Sequence, residues 1–488
     1  MYIYKHYHDE EEARLLSEIR DYLGIPLDSF ALYHVYHLED PALGPELMEA
    51  LVDLRGGELV AELPAHALYV RDKDGQYNQR EDMANEYLQH VRGVDTRVKL
   101  GRAYVCAGAS DEEWAVIQGY LINPVVQEIY DPTTVSFHLE VSDDSELQPV
   151  EGFNSFSEEE LQRFKDARGV GLDLDDLQVV QEHFTREGRD PRFCEIKMLD
   201  TYWSDHCRHT TFLTALEDVE IADGRYAEQI RKSYASYLET RAAAYEGREA
   251  KPVSLMDLAT INARDLKKQG LLTDVEETDE VNACSIEVDI EVGGKQETWL
   301  HMFKNETHNH PTEIEPYGGA HTCIGGCIRD PLSGRSEIIQ GIRITGAGNP
   351  LTPYAKTLEG KLSQRYLATT ARDGFSDYAN QIGAPVGLVR EYYDDGFQAK
   401  RMELGALVAA VQKDQVTRAG AEPGDVVLLL GAPTGRDGLG AAVGSSSVQT
   451  EQTLKKAGAE VQKGNPFAER RMMRLFKRPE AKKLIKVC

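Results

Sequence analysis

The chain has 488 residues, 41% of them hydrophobic and 28% charged, ordinary values for a globular protein with room for about three domains. Its formal net charge of −28 should repel nucleic acid phosphates and anionic membrane surfaces, so an anionic substrate needs a local electropositive pocket. No run of about 18 apolar residues is present, Met1–His6 has no signal-peptide character, and the seven cysteines lack framework spacing; a cytoplasmic protein with reduced thiols is expected.

Tyr2–Tyr7 reads as a strand, and Asp9 caps a helix with Leu16, Ile19 and Leu23 on one face, stopped by Gly24 and Pro26. Phe30–Tyr36 is a second strand. A looser repeat follows: a strand at Arg102–Val105, a capping box at Ser110–Glu113 opening a helix through Leu121, and a returning strand at Val125–Tyr130. These predict a small α/β domain over residues 1–145, with Ser142–Glu151 as linker. A helical segment over 150–215 opens at the capping box Ser157–Glu160 and continues through Leu174–Arg186. Residues 216–420 form the next domain, with a helix over Tyr226–Tyr245 and strands at Ala283–Val292 and Thr298–Phe303. A last domain, 421–488, begins with Val426–Leu430, an apolar run expected to be a buried strand, and ends in one basic helix, Glu469–Val487.

The densest chemistry is Lys304-Asn305-Glu306-Thr307-His308-Asn309-His310-Pro311, which follows a strand end. A carboxylate, two imidazoles, an amide and a hydroxyl there offer metal ligation and proton transfer, and Pro311 argues against a helix running through the histidines. Gly318-Gly319 and Gly325-Gly326 allow backbone amides close to phosphate oxygens, or simply tight turns. Arg329 suits a phosphate and Asp330 suits Mg2+. Zinc held by His308, His310, His321, Cys323 and Cys327 is a weaker alternative, because no second cysteine pair completes a structural site. A second constellation, Trp203–Thr210, combines an aromatic face with His206 and His209. Cys207 beside His206 suggests a thiol nucleophile, but no oxyanion signature accompanies it. Thr434–Gly438 and Gln462–Pro466 read equally well as substrate loops or as turns.

These pieces occur together and in order in one family. Phe303–Asp330 resembles the signature of the phosphoribosylformylglycinamidine synthases, Leu199–Phe212 resembles their other active-site motif, and the first 140 residues resemble the small N-terminal domain of the large, single-chain form. The resemblance implies a mixed α+β and α/β multidomain fold: the small N-terminal domain, a helical linker, an aminoimidazole-ribonucleotide-synthetase-like domain and the start of its C-terminal partner. It implies an ATP-dependent C–N ligase of purine synthesis that converts formylglycinamide ribonucleotide to formylglycinamidine ribonucleotide with ammonia from glutamine. ATP and Mg2+ are then required, with no nucleic acid or membrane partner. Residue by residue, Lys304 and His209 would touch ATP, and Glu306 and Asp330 would bind Mg2+. Thr307, His308, Asn309, His310, Arg329 and Gln462 would line the substrate. His308 would accept the proton, and His206 would be a second catalytic residue. Asn305 and Cys323 depart from the expected pattern without touching these assignments.

None of the cysteines sits in a convincing glutaminase elbow, so the ammonia is expected from a glutaminase domain or subunit outside this chain, which alone is expected to be inactive with glutamine. A non-catalytic nucleotide-binding scaffold of the same fold is the alternative.

Overall fold

The structure is a computed structural model that describes residues 1–138, 147–203, 209–431, 437–438, 440–446 and 460–488. Its first unit is an antiparallel sheet of six strands: β1 (Tyr2–His6), β2 (Ser29–Leu38), β3 (Gly57–Val60), β4 (Leu68–Asp72), β5 (Val98–Ala107) and β6 (Gln127–Ile129), in spatial order β3-β1-β2-β5-β4-β6. Between the strands run α1 (Glu10–Ser17), α2 (Gly44–Leu51), α3 (Gln79–Glu86) and α4 (Asp111–Leu121). The expected caps form: the Asp9 carboxylate accepts from the Glu11 and Glu12 amides, and Ser110 and Glu113 close a reciprocal box. Leu15 and Ile19 on one side and Ile117, Tyr120 and Leu121 on the other pack on Leu32, Val70 and Tyr104. Each such side chain contributes about 1.5–3 kcal/mol on burial. β3 and β4 were not expected; four or five residues are too short to display a period of two. The returning strand is shorter than expected, because Val125 and Val126 turn inward to meet Ile314 and Val461 and so tie this unit to the rest of the chain.

Three helices follow, α5 (Glu158–Arg168), α6 (Leu174–Glu187) and α7 (Phe193–Trp203), joined through Phe153, Leu161, Leu177, Phe184 and Ile196. The short α8 (His209–Leu213) leads to a hairpin of α9 (Ala227–Tyr245) and α10 (Leu255–Lys268). Its small core is organised by one buried carboxylate, Asp257, which accepts from Tyr237 Oη (2.7 Å), Tyr245 Oη (2.6 Å) and Arg241 Nε (3.0 Å). Burial would raise the Asp257 carboxyl, but these donors outweigh it and hold it below the ordinary value. A carboxylate depressed in the folded state stabilises above its unfolded pKa and loses that contribution as pH falls through the folded one. Asp257→Asn is therefore expected to cost roughly 1.5–3 kcal/mol near neutrality. In thermal melts followed by circular dichroism, the gap between wild type and variant should close as pH drops below the ordinary carboxylate range.

The second sheet carries the candidate site. β7 (Cys284–Val292), β8 (Lys295–Thr307), β9 (Glu337–Ala347), β10 (Val386–Tyr393) and β11 (Met402–Gln412) lie in the order β10-β9-β11-β8-β7, antiparallel except for β10 beside β9. One face is covered by α12 (Pro316–Ser333), which follows the short α11 (Asn309–Ile314), and by α13 (Gln364–Ile382). Cys323, Ile324 and Ile328 of α12 and Phe375 and Tyr378 of α13 pack on Leu300, Met302, Leu407 and Val411. After α14 (Ala441–Ser446), α15 (Pro466–Phe476) returns to α13, and α16 (Pro479–Leu484) closes the chain. No described helix is long and apolar enough to cross a membrane.

Three expectations need correction. Val426–Leu430 is not a buried strand: it has no regular structure, with Val427 92% and Leu429 95% exposed. An apolar run becomes a strand only where neighbours supply hydrogen bonds and cover, and among the described residues none pairs with it. The C-terminal helix is two helices, divided where Pro479 starts the second. The paired glycines of 318–326 form neither a phosphate loop nor tight turns. They lie inside α12 and permit close packing: a side chain on Gly319 would fall on the backbone of Thr312, and one on Gly374 of α13 on that of Tyr317.

Candidate functional site

The motif Lys304–Pro311 straddles a strand end and a helix start. β8 runs to Thr307, four residues beyond the expected strand, because its backbone pairs with β11 as far as Leu404. Alternation then places Lys304 and Glu306 on the face towards α12, while Asn305 and Thr307 are exposed on the other. His308 leaves the strand as the N-terminal cap of α11, so Pro311 falls in the first turn of a helix, where its missing N–H costs nothing.

Four of the expected residues come together here. Lys304 Nζ lies 3.1 Å from Glu306 Oε1 and 2.6 Å from Asp330 Oδ2, joining the strand to the C-terminal part of α12. Partial burial alone would lower the Lys304 amine, but the Asp330 and Glu306 carboxylates outweigh it and raise it above its ordinary value. A methyl on Gly326 would stand 3.4 Å from Glu306 Cγ and 3.7 Å from His308 Cε1, so carboxylate and imidazole share that stretch of α12. Two acidic oxygens and an ammonium group, all half-buried, make a place where a divalent cation and phosphate oxygens can be balanced together.

The remaining expected residues divide. The Asn309 carboxamide accepts from the Glu403 amide at 2.9 Å, which is a structural task. His310 is buried, with Nε2 2.7 Å from Glu460 Oε2. Arg329 Nη1 bonds Tyr378 Oη and Glu469 Oε1, both at 3.2 Å. Gln462 is exposed beside Gly438. His206 and Cys207 lie outside the described residues, as does the side chain of His209, the first residue of α8. A cavity of about 690 Å³ sits beside this centre. It shares Arg329 with the motif segment, and Arg71, Lys73 and Lys99 of the N-terminal unit face Lys463 and Glu469 across it. The ligating chemistry outside the cavity, rather than cavity size, marks the candidate site.

The five groups of the zinc alternative do not converge. His321 is stacked on Tyr317 and edge-on to Tyr378, and burial lowers it to about 4. Burial likewise pushes Cys327 up to about 12 and Cys323 well above the usual thiol range, so both are inert packing groups.

Sequence reasoning missed the support beneath the motif. Glu403, fully buried, receives Arg343 at 2.6 and 3.1 Å and Arg401 Nε at 3.0 Å. Its own carbonyl accepts the His308 amide at 2.9 Å. The one available signal was charge at alternate positions, Arg401 and Glu403, at the start of an apolar strand.

Comparison with known proteins adds to this geometry. Residues 161–209 match the family described as the formylglycinamide ribonucleotide amidotransferase linker domain. The chain is 27% identical over 319 residues to phosphoribosylformylglycinamidine synthase subunit PurL of Thermoplasma volcanium, covering 65% of this chain and 34% of that relative. The subunit of the same name from Methanothermobacter marburgensis is 37% identical over 169 residues, 34% of this chain and 22% of its own. Among solved structures, T. maritima PurL complexed with FGAR aligns at 21% identity with a TM-score of 0.36, over 62% of this chain and 37% of that one. The chain spans about a third of the length of the curated relatives it matches.

Proposed function

We propose, from the premise that this chain is a PurL-type relative of the phosphoribosylformylglycinamidine synthases over part of its length, that its β8–α12 centre is the ATP-phosphate and amide-activation site of such an enzyme. The whole protein then converts formylglycinamide ribonucleotide, ATP and glutamine-derived ammonia to formylglycinamidine ribonucleotide. The observation that carries this reading is the convergence of Lys304, Glu306 and Asp330, with His308 packed against α12 at Gly326.

An amide carbonyl is a poor electrophile, and transfer of a phosphoryl group to its oxygen makes that oxygen a leaving group for ammonia. Lys304 neutralises phosphate charge as an ammonium group. Glu306 and Asp330 fit Mg2+: two carboxylates already converge on one cation, here the Lys304 amine, and oxygen donors are what that ion selects. Mg2+, when bound there, supplies further charge neutralisation to the phosphates. His308, held at its backbone by Glu403, accepts the proton released as the nitrogen adds. Thr307, Asn309, His310, Arg329 and Gln462 remain the proposed substrate contacts, with Thr307 and Gln462 the exposed ones and Arg329 first to be released by Glu469.

Calorimetric titration of the chain with ATP tests the nucleotide half of this reading. Binding is expected to require Mg2+ and to weaken at least about tenfold, or 1.4 kcal/mol, in Lys304→Met. Equal affinity of wild type and variant, or no Mg2+-dependent binding, would remove Lys304 and its carboxylates from the nucleotide site. Binding without turnover in the complete enzyme would favour the scaffold reading instead.

A further inference from the structure

We propose that His6, Asp9 and His34 form a site for a divalent transition-metal ion, best suited to Zn2+, in the N-terminal unit and separate from the β8–α12 centre. The argument starts from strand register. β1 and β2 are antiparallel with Tyr4 opposite His34, so the period of two puts His6 on the same face as His34, one diagonal step along. Their rings are 5.0 Å apart and nearly perpendicular, at 87°. The chain turns directly after β1, and Asp9 becomes the cap of α1. Its Oδ1 accepts from the Glu11 amide (2.9 Å) and the Glu12 amide (3.1 Å), which leaves Oδ2 facing His34 Nε2 at 3.3 Å.

One ligand atom from each of the three residues lies within 4.8 Å of the others. Tetrahedral bonds of about 2.0–2.2 Å require ligand atoms roughly 3.3–3.5 Å apart. The Asp9–His34 pair already has that spacing, and the His6 imidazole has to close in from within 4.8 Å. The carboxylate needs no reorientation, because two backbone amides fix its far oxygen as outer-shell partners of a ligand do. Of the cations around the site, Arg102 bonds Glu11 at 2.7 Å and Lys5 pairs with Glu12, while Arg80 also faces His34 and opposes a bound cation. The Asp9 charge is available to an ion. The His34 and Asp9 side chains are 13% and 8% exposed, so the fold holds both ligand groups in place. Two imidazoles and one carboxylate suit zinc, nickel or copper(II) better than Mg2+ or Ca2+, and three protein ligands leave a position for water.

The test uses the metal-free 488-residue chain, titrated with Zn2+ against a chromophoric chelator, with Co2+ absorption reporting coordination. One Zn2+ per chain is expected, with at least tenfold weaker binding in His34→Ala and in Asp9→Asn. Asparagine caps helices as well as aspartate does, so the second variant keeps α1 while removing the charge. It guards against loss of folding being read as loss of a ligand. Unchanged Zn2+ affinity and Co2+ spectrum in folded Asp9→Asn and His6→Ala would overturn the proposal, as would a wild-type chain that takes up no Zn2+.

Discussion

Replacing His308 with alanine in the complete enzyme is expected, on the function proposed above, to lower amidine formation by about 100- to 10,000-fold, the usual contribution of a general base. The reason lies in how the residue is divided between two tasks. Its backbone N–H donates to the Glu403 carbonyl and fixes the junction of β8 and α11, and alanine preserves that bond. Its half-buried imidazole sits beside Glu306 over Gly326, and only this part is lost. The substitution should therefore separate catalysis from folding: the unfolding midpoint moves little, while turnover with saturating ammonia, ATP and substrate collapses. A loss of less than a few-fold in that assay would assign proton removal to another group.

The opposite result is expected at Glu403. Glu403→Ala should cost about 3–5 kcal/mol of stability, because it strands buried cations rather than merely deleting a contact. Arg401 loses its carboxylate, with its Nη1 and Nη2 already lacking a hydrogen-bond partner among the described residues, and Arg343 keeps only Glu391, at 3.4 Å. The backbone of residue 403 also holds His308 and the Asn309 carboxamide, so the motif should loosen along with the sheet. Urea unfolding followed by circular dichroism measures the effect. A change below about 1 kcal/mol would mean that the network is not the anchor of the motif. Glu403→Gln keeps the volume but not the charge, and it should fall between wild type and alanine.

Local signals in the sequence determined the caps at Asp9, Ser110 and Ser157, the helices they open, and the grouping of Lys304, Glu306, His308 and Asp330 as candidate chemistry. Caps and motifs are legible because their physics acts over three or four residues, within one stretch of chain. The tertiary structure decided what depends on distant neighbours. Pairing with β11 extended β8 through the motif and so turned Lys304 and Glu306 towards α12. The crossing of α12 over Thr312 and α13 made packing positions of glycines that, read alone, suit a phosphate loop. Val426–Leu430 shows the same rule in reverse: its composition suits a buried strand, but burial requires partners, and a run of five residues carries no information about whether they are there.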